Sequence, residues 1–171
     1  PFLIKINENG DKIWSNQLEL TGVSNLNGAY EDAAGFLHCV GAISPAFGQS
    51  DGWFAKLAPN GALSGPVRFI SSPNGADGLI RVTGTTQNRL LLAGASQGFG
   101  NGNSQLWLTE VDDVGAVRWS KTYDLPGTNL IPRDLLRLPG DQFLLTLGDS
   151  GQGQPAILFK IDLSGDIVLL A

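Results

Sequence analysis

An apolar stretch, a polar turn and a glycine recur four times along this chain, and that repeat limits its fold more than any other feature. The copies are Phe2–Gly10, Trp53–Gly61, Leu106–Gly115 and Leu158–Gly165. Their closing glycines, Gly10, Gly61, Gly115 and Gly165, are 51, 54 and 50 residues apart, and five residues before each stand Lys5, Lys56, Glu110 and Lys160. Trp14-Ser15 and Trp119-Ser120 follow their glycines at the same offset. A second pattern interleaves: Phe36–Gly41, Arg89–Gly94 and Phe143–Gly148 are apolar segments ending in glycines 53 and 54 residues apart. Two registers that agree on one period indicate a true internal repeat, and such periods belong to repeat architectures.

Each period accommodates four short strands. One carries the lysine. The next follows a polar turn ending in glycine, as a hairpin with a left-handed residue requires. A third runs through Gly28–Ala33, Leu79–Thr83 and Arg133–Leu138, and the fourth is the apolar segment. No stretch keeps the three- and four-residue apolar spacing of a helix over the ten or more residues a helix needs. Only 16% of residues are charged and 23 are glycine, which suits strands and tight turns better than helices. The expected fold class is all-β, a β-propeller segment of about three and a half four-stranded antiparallel blades belonging to a larger ring. It forms a single domain over 1–171, with units near 2–50, 51–104, 105–154 and a partial 155–171. Counting strands as 2 + 4 + 4 + 4 gives fourteen. Terminal blades would then expose apolar faces. Further blades are therefore expected as partners, from the same polypeptide, a second copy or a neighbouring subunit. The chain starts at Pro1 and holds no methionine, so it is expected to be processed or partial.

The motifs resemble those of a bacterial secreted and cell-surface β-propeller repeat family. Asp51–Gly61 is similar to that family's D-x-F-x-x-K-L-x-x-x-G unit, with Trp53 in the aromatic position. Gly115–Tyr123 is similar to G-x-x-x-W-S-x-x-Y, and Asn88–Gly94 resembles G-N-V-Y-V-T-G. The resemblance spans nearly the whole chain. It implies four-stranded blades in an extracellular or cell-surface module, with the lysine hairpin as the outer half of each blade. In the second repeat Gly65 stands where the outer strand should carry Trp, so that blade edge is expected to pack less well.

Charge and motif content narrow the function classes. The net charge is −5 with no basic run, so no nucleic-acid footprint is present. No apolar run approaches the ~20 residues of a spanning helix. The lone Cys39 forms no intrachain disulfide and reads as a buried, inert thiol. Gly94-Ala-Ser96-Gln-Gly98 matches the hydrolase elbow G-x-S-x-G, but that motif needs a strand–turn–helix context. Ser96 instead belongs to the repeat, alongside Ser44 and Ser150, and the only histidine, His38, falls in a strand of another blade. The Asn7–Asp11 and Asp162–Asp166 turns superficially suggest calcium loops, yet local backbone hydrogen bonding explains their residues better. Lys5, Lys56 and Lys160 read as a solvated strand face.

These residues predict no cofactor, no metal and no catalytic constellation. The remaining candidates are the longer loops after Gly41, Gly94 and Gly148, where Phe47, Asp51, Phe99, Asn101, Asn103 and Asp149 could contact a partner. The function expected is a non-catalytic binding or scaffold module taking a protein or glycan ligand. The alternatives are a fragment of a propeller enzyme with its catalytic residues in other blades, or a structural repeat of a surface filament or layer.

Overall fold

The computed structural model describes residues 1–44, 49–99, 104–124, 128–149 and 157–170. Among them are fourteen strands and no helix. β1 (Phe2–Ile6) and β2 (Lys12–Gln17) form a two-stranded sheet, called A here. β3 (Val23–Glu31), β4 (Leu37–Ser44), β5 (Asp51–Leu57) and β6 (Arg68–Ile70) form sheet B. Sheet C contains β7 (Asp77–Gly84), β8 (Leu90–Ser96), β9 (Gln105–Val111) and β10 (Val117–Tyr123). Sheet D contains β11 (Leu130–Leu138), β12 (Gln142–Asp149), β13 (Ile157–Ile161) and β14 (Ile167–Leu170). All pairings are antiparallel between neighbours in sequence. Each four-stranded sheet thus joins the apolar hairpin of one repeat to the lysine hairpin of the next.

The lysine hairpins close as the spacing requires. Gly10, Gly61, Gly115 and Gly165 have φ of 86°, 84°, 83° and 79°, the left-handed region that glycine enters without steric cost. In three of these turns an Asn or Asp side chain completes the loop. Asn7 Oδ1 accepts from the amides of Asn9 and Asp11, Asp112 Oδ1 from Val114 and Ala116, and Asp162 Oδ1 from Ser164 and Asp166. The acidic turns are therefore occupied by their own backbone.

The sheets stack face to face in chain order through three cores. Leu3, Trp14 and Leu18 meet Cys39, Trp53, Ala55 and Leu57 between A and B. Val40 and Phe54 meet Leu79, Leu90, Leu92, Trp107 and Val111 between B and C. Leu91, Ala93, Leu106 and Leu108 meet Leu130, Phe143, Leu145, Phe159 and Ile161 between C and D. Each sheet has a back face toward its predecessor and a front face toward its successor, and strand alternation sends neighbouring residues to opposite faces. Cys39 is fully buried, and burial pushes its thiol pKa up to about 12.

The structure corrects the sequence alignment in the last repeat by one residue. Gly41 pairs with Trp53 and Gly94 with Trp107, but the equivalent Ile157 pairs with Leu147, not Gly148. Phe143, Leu145 and Leu147 therefore take the places of Leu90, Leu92 and Gly94, while Leu144 turns to the front face and is half exposed. A one-residue shift exchanges every side chain between faces. A β-carbon on Gly41 would collide with Asn25 O and meet the Trp53 indole at 2.7 Å, and one on Gly94 would collide with Gly78 O, whereas sheet D carries the buried Leu147 at this position, opposite Ile157.

The edge strands β3, β7 and β11 approach one another along the stack. Each has a β-bulge, at Asn27, Ile80 and Arg133, in steps of 53 residues. Asn27 Nδ2 donates to Leu79 O at 2.8 Å, Arg81 Nη1 donates to Asn27 O at 3.2 Å, and Arg81 Nε lies 3.7 Å from Asp134 Oδ1. A bulge increases local twist and bends the strand, so three equivalent bulges turn these edges in the same sense. Sheet B has the weak outer edge that Gly65 suggested. β6 spans three residues against seven in β10.

Candidate functional site

The strand ends define two rims. One carries the tight turns at Gly10, Asp32–Phe36, Gly61, Thr85–Arg89, Gly115, Gly140 and Gly165, and the other carries the longer connections. Of the sequence-predicted contact residues, Asp51, Phe99 and Asp149 belong to the second rim. Phe47, Asn101 and Asn103 lie outside the described residues. Asp51 begins β5, half-buried opposite Ile43, and Asp149 ends β12 opposite Leu130. Phe99 is 44% exposed, with its ring centroid 6.2 Å from that of Trp107. Nearby, Ser96 is fully buried and its Oγ accepts the Gly98 amide at 3.1 Å, so this serine serves as a turn residue.

The larger feature is on the tight-turn rim. A cleft of about 820 Å³ lies mainly between sheets B and C, lined by Tyr30, Asp32, Phe36, His38, Lys56 and Arg89 among others. Tyr30, His38 and Lys56 form one cross-strand row on β3, β4 and β5, which places them together on the front face of B. His38 is buried between two rings, its centroid 6.2 Å from Tyr30 and 6.0 Å from Phe54. Its Nε2 lies 3.0 Å from Asp32 Oδ2, and Asp32 Oδ1 accepts the amides of Ala34 and Phe36. Burial pushes the Asp32 carboxyl up, but the hydrogen bonds with His38, Phe36 and Ala34 outweigh it and hold the group below its ordinary value.

The charged side chains that line the cleft are paired; of these pairs Lys56–Asp113 crosses between sheets, as Lys5–Glu31 and Lys121–Asp166 do outside the cleft. Lys56 Nζ donates to Asp113 Oδ2 on the next sheet at 2.9 Å and sits 4.5 Å from the centre of the Phe36 ring. The Lys56 bond is the main cause that keeps the Asp113 carboxyl below its ordinary range. Lys5 reaches Glu31 on sheet B at 2.6 Å, and Lys121 reaches Asp166 on sheet D at 2.8 Å. The expectation of a solvated lysine face is therefore corrected for Lys5 and Lys56, which lie on front faces covered by a following sheet. Arg89 pairs with the buried Glu110 at 3.2 Å in its own sheet. Arg137 pairs with Asp141, which also accepts the Thr86 amide at 3.0 and 3.1 Å and so fastens sheet D to C.

Sequence reasoning missed this cleft because its residues come from three separate turns and strands. The only available signal was the combination of the lone histidine with Asp32 six residues earlier. No family model matches the chain, and no curated protein does either.

Proposed function

We propose that this chain is a non-catalytic binding and scaffold module built from β-propeller blades, of the bacterial secreted or cell-surface type its motifs resemble, that meets a partner at its rims. The propeller arrangement is supported by the chain-order stacking of the sheets and by the approach of β3, β7 and β11, as inner strands would gather about an axis. The observation that carries the binding role is the tight-turn cleft. It offers aromatic surface at Tyr30 and Phe36 beside hydrogen-bonding groups, while its charges are already committed to structural pairs. Such a surface suits a neutral, polar ligand such as a glycan or a protein loop.

Titration of the isotope-labelled chain with a panel of oligosaccharides and peptides, followed by NMR, tests this. The expected result is saturable shifts of the Tyr30, Phe36 and Thr86 amides with the ligand recovered unchanged. Turnover of a ligand, or shifts confined to the end faces, would contradict it. A scaffold role as a repeated unit of a surface assembly is favoured by the apolar faces left open at both ends of the stack.

A further inference from the structure

We infer that a second copy of this chain docks head to tail, the front face of its sheet D on the back face of sheet A. The inference rests on the scaffold role above and names the partner. Its basis is the comparison of the two exposed faces with the three internal contacts. On β1 the back-face residues Phe2, Ile4 and Ile6 are 61%, 54% and 58% exposed. Their equivalents Trp53, Ala55 and Leu57, then Trp107, Thr109 and Val111, are all buried against a preceding sheet. On sheet D the front face presents Leu136, Leu144, Lys160 and Leu169 in one cross-strand row, with Leu136 and Leu169 about half exposed. The corresponding row on sheet B contains Tyr30, His38 and Lys56 and lies against sheet C.

Two further details fit the same seating. Each internal hairpin glycine is covered by a ring from the sheet before it. A β-carbon would meet Trp14 at 2.7 Å on Gly61, Phe54 at 2.5 Å on Gly115 and Trp119 at 2.9 Å on Gly165. Around Gly10 there is nothing within 4 Å. Leu169 stands four residues after its hairpin glycine, as Trp14 and Trp119 do, so a preceding sheet D would set Leu169 over Gly10. The charges match as well. Lys56 reaches Asp113, which stands two residues before Gly115, and Glu8 is two residues before Gly10. Lys160 occupies the Lys56 position, so in the docked pair it meets Glu8 of the neighbouring copy. At the other two contacts the residue two before the glycine is Pro59 or Leu163, and there Lys5 turns to Glu31 and Glu110 pairs within its own sheet. A front face that recognises the back face of another copy makes a heterologous contact, which closes into a ring or extends as a filament.

Light scattering on the full chain over a range of concentrations reads this directly. The wild-type mass should rise with concentration, while Ile4→Asp (back face broken) and Leu169→Asp (front face broken) should each remain monomeric. An equimolar mixture of these two variants should form a one-to-one dimer and nothing larger, because together they retain one intact front and one intact back. Glu8→Lys and Lys160→Glu should each weaken association at least tenfold, and combining them in one chain should restore it. A wild-type chain that stays monomeric up to the order of 1 mM, or variants that associate as wild type does, would overturn the inference. The internal swap of Lys56→Glu with Asp113→Lys separates the two levels. If it restores the melting temperature lost in the single variants while the chain stays monomeric, sheet stacking holds and the second copy does not. If it fails to restore it, the stacking itself is refuted.

Discussion

The contact between sheets B and C and the open face of sheet A use equivalent residues in opposite circumstances. Trp107 and Val111 on β9 are buried against Phe54 and Val40, whereas Phe2 and Ile6 at the matching positions of β1 face outward. Composition does not separate the two faces, since both are strongly apolar. What differs is whether a preceding sheet lies against them. Apolar area left in solvent forgoes roughly 25 cal/mol per Å², so the end faces hold association energy that the internal contacts have already realised.

The largest expected effect comes from truncating the same kind of side chain on each side of this comparison. Phe54→Ala should destabilise the chain by about 3–5 kcal/mol, because it empties the B–C core. Phe2→Ala should change stability by less than about 0.5 kcal/mol in dilute solution. Equal losses in chemical denaturation would remove the distinction between internal and end faces.

A sharper form uses adjacent residues of one strand. Leu145→Ala should cost about 2–5 kcal/mol, and Leu144→Ala under about 1 kcal/mol, since Leu145 faces sheet C and Leu144 faces outward. The reverse order would show that Gly148, not Leu147, aligns with Gly94.

That pair also marks the limit of what was legible in the sequence. The strand count, the order 2 + 4 + 4 + 4 and the four left-handed glycines followed from periodic spacing alone. The register slip in β12 did not, because Phe143, Leu144 and Leu145 are all apolar and either face could claim them. The bulges at Asn27, Ile80 and Arg133 keep a 53-residue step but share no residue type, since the feature is a property of the backbone. Lys56 was misassigned for a related reason. Alternation places it on the face opposite Trp53, and only the stacking shows that this face is covered too. Of the candidate site, Phe99 lies on a turn beside Trp107 and is partly exposed, while the Tyr30–His38–Lys56 row needed three strands in register to be seen.

Smaller effects follow at the hairpins. Gly10→Ala should cost about 1–2 kcal/mol, the strain of a left-handed backbone alone. Gly61→Ala should cost a further ~1–3 kcal/mol, because the added methyl also collides with Trp14. Thermal unfolding of both variants at low concentration checks this, and a larger loss at Gly10 would contradict it.

The smallest effect is electrostatic. The Asp113 carboxyl is held below its ordinary value, so its contribution is present above the unfolded value near ~3.9 and is lost as pH falls through the folded one. Asp113→Asn should therefore flatten the acid limb of the stability curve slightly. The loss at neutral pH should be at most about 1 kcal/mol, since the pair is largely exposed on the aspartate side.

Cross-linking tests the central claim, that one face-to-face contact is used inside the chain and offered again at its ends. The only native cysteine, Cys39, is buried, so introduced thiols report without interference. A chain with Lys56→Cys and Asp113→Cys should cross-link within itself at every concentration. Separate chains with Glu8→Cys and Lys160→Cys should cross-link to each other in a yield that rises with concentration. An absent first cross-link would contradict the stacking, and an absent second one would contradict the equivalence of the end faces with the internal ones.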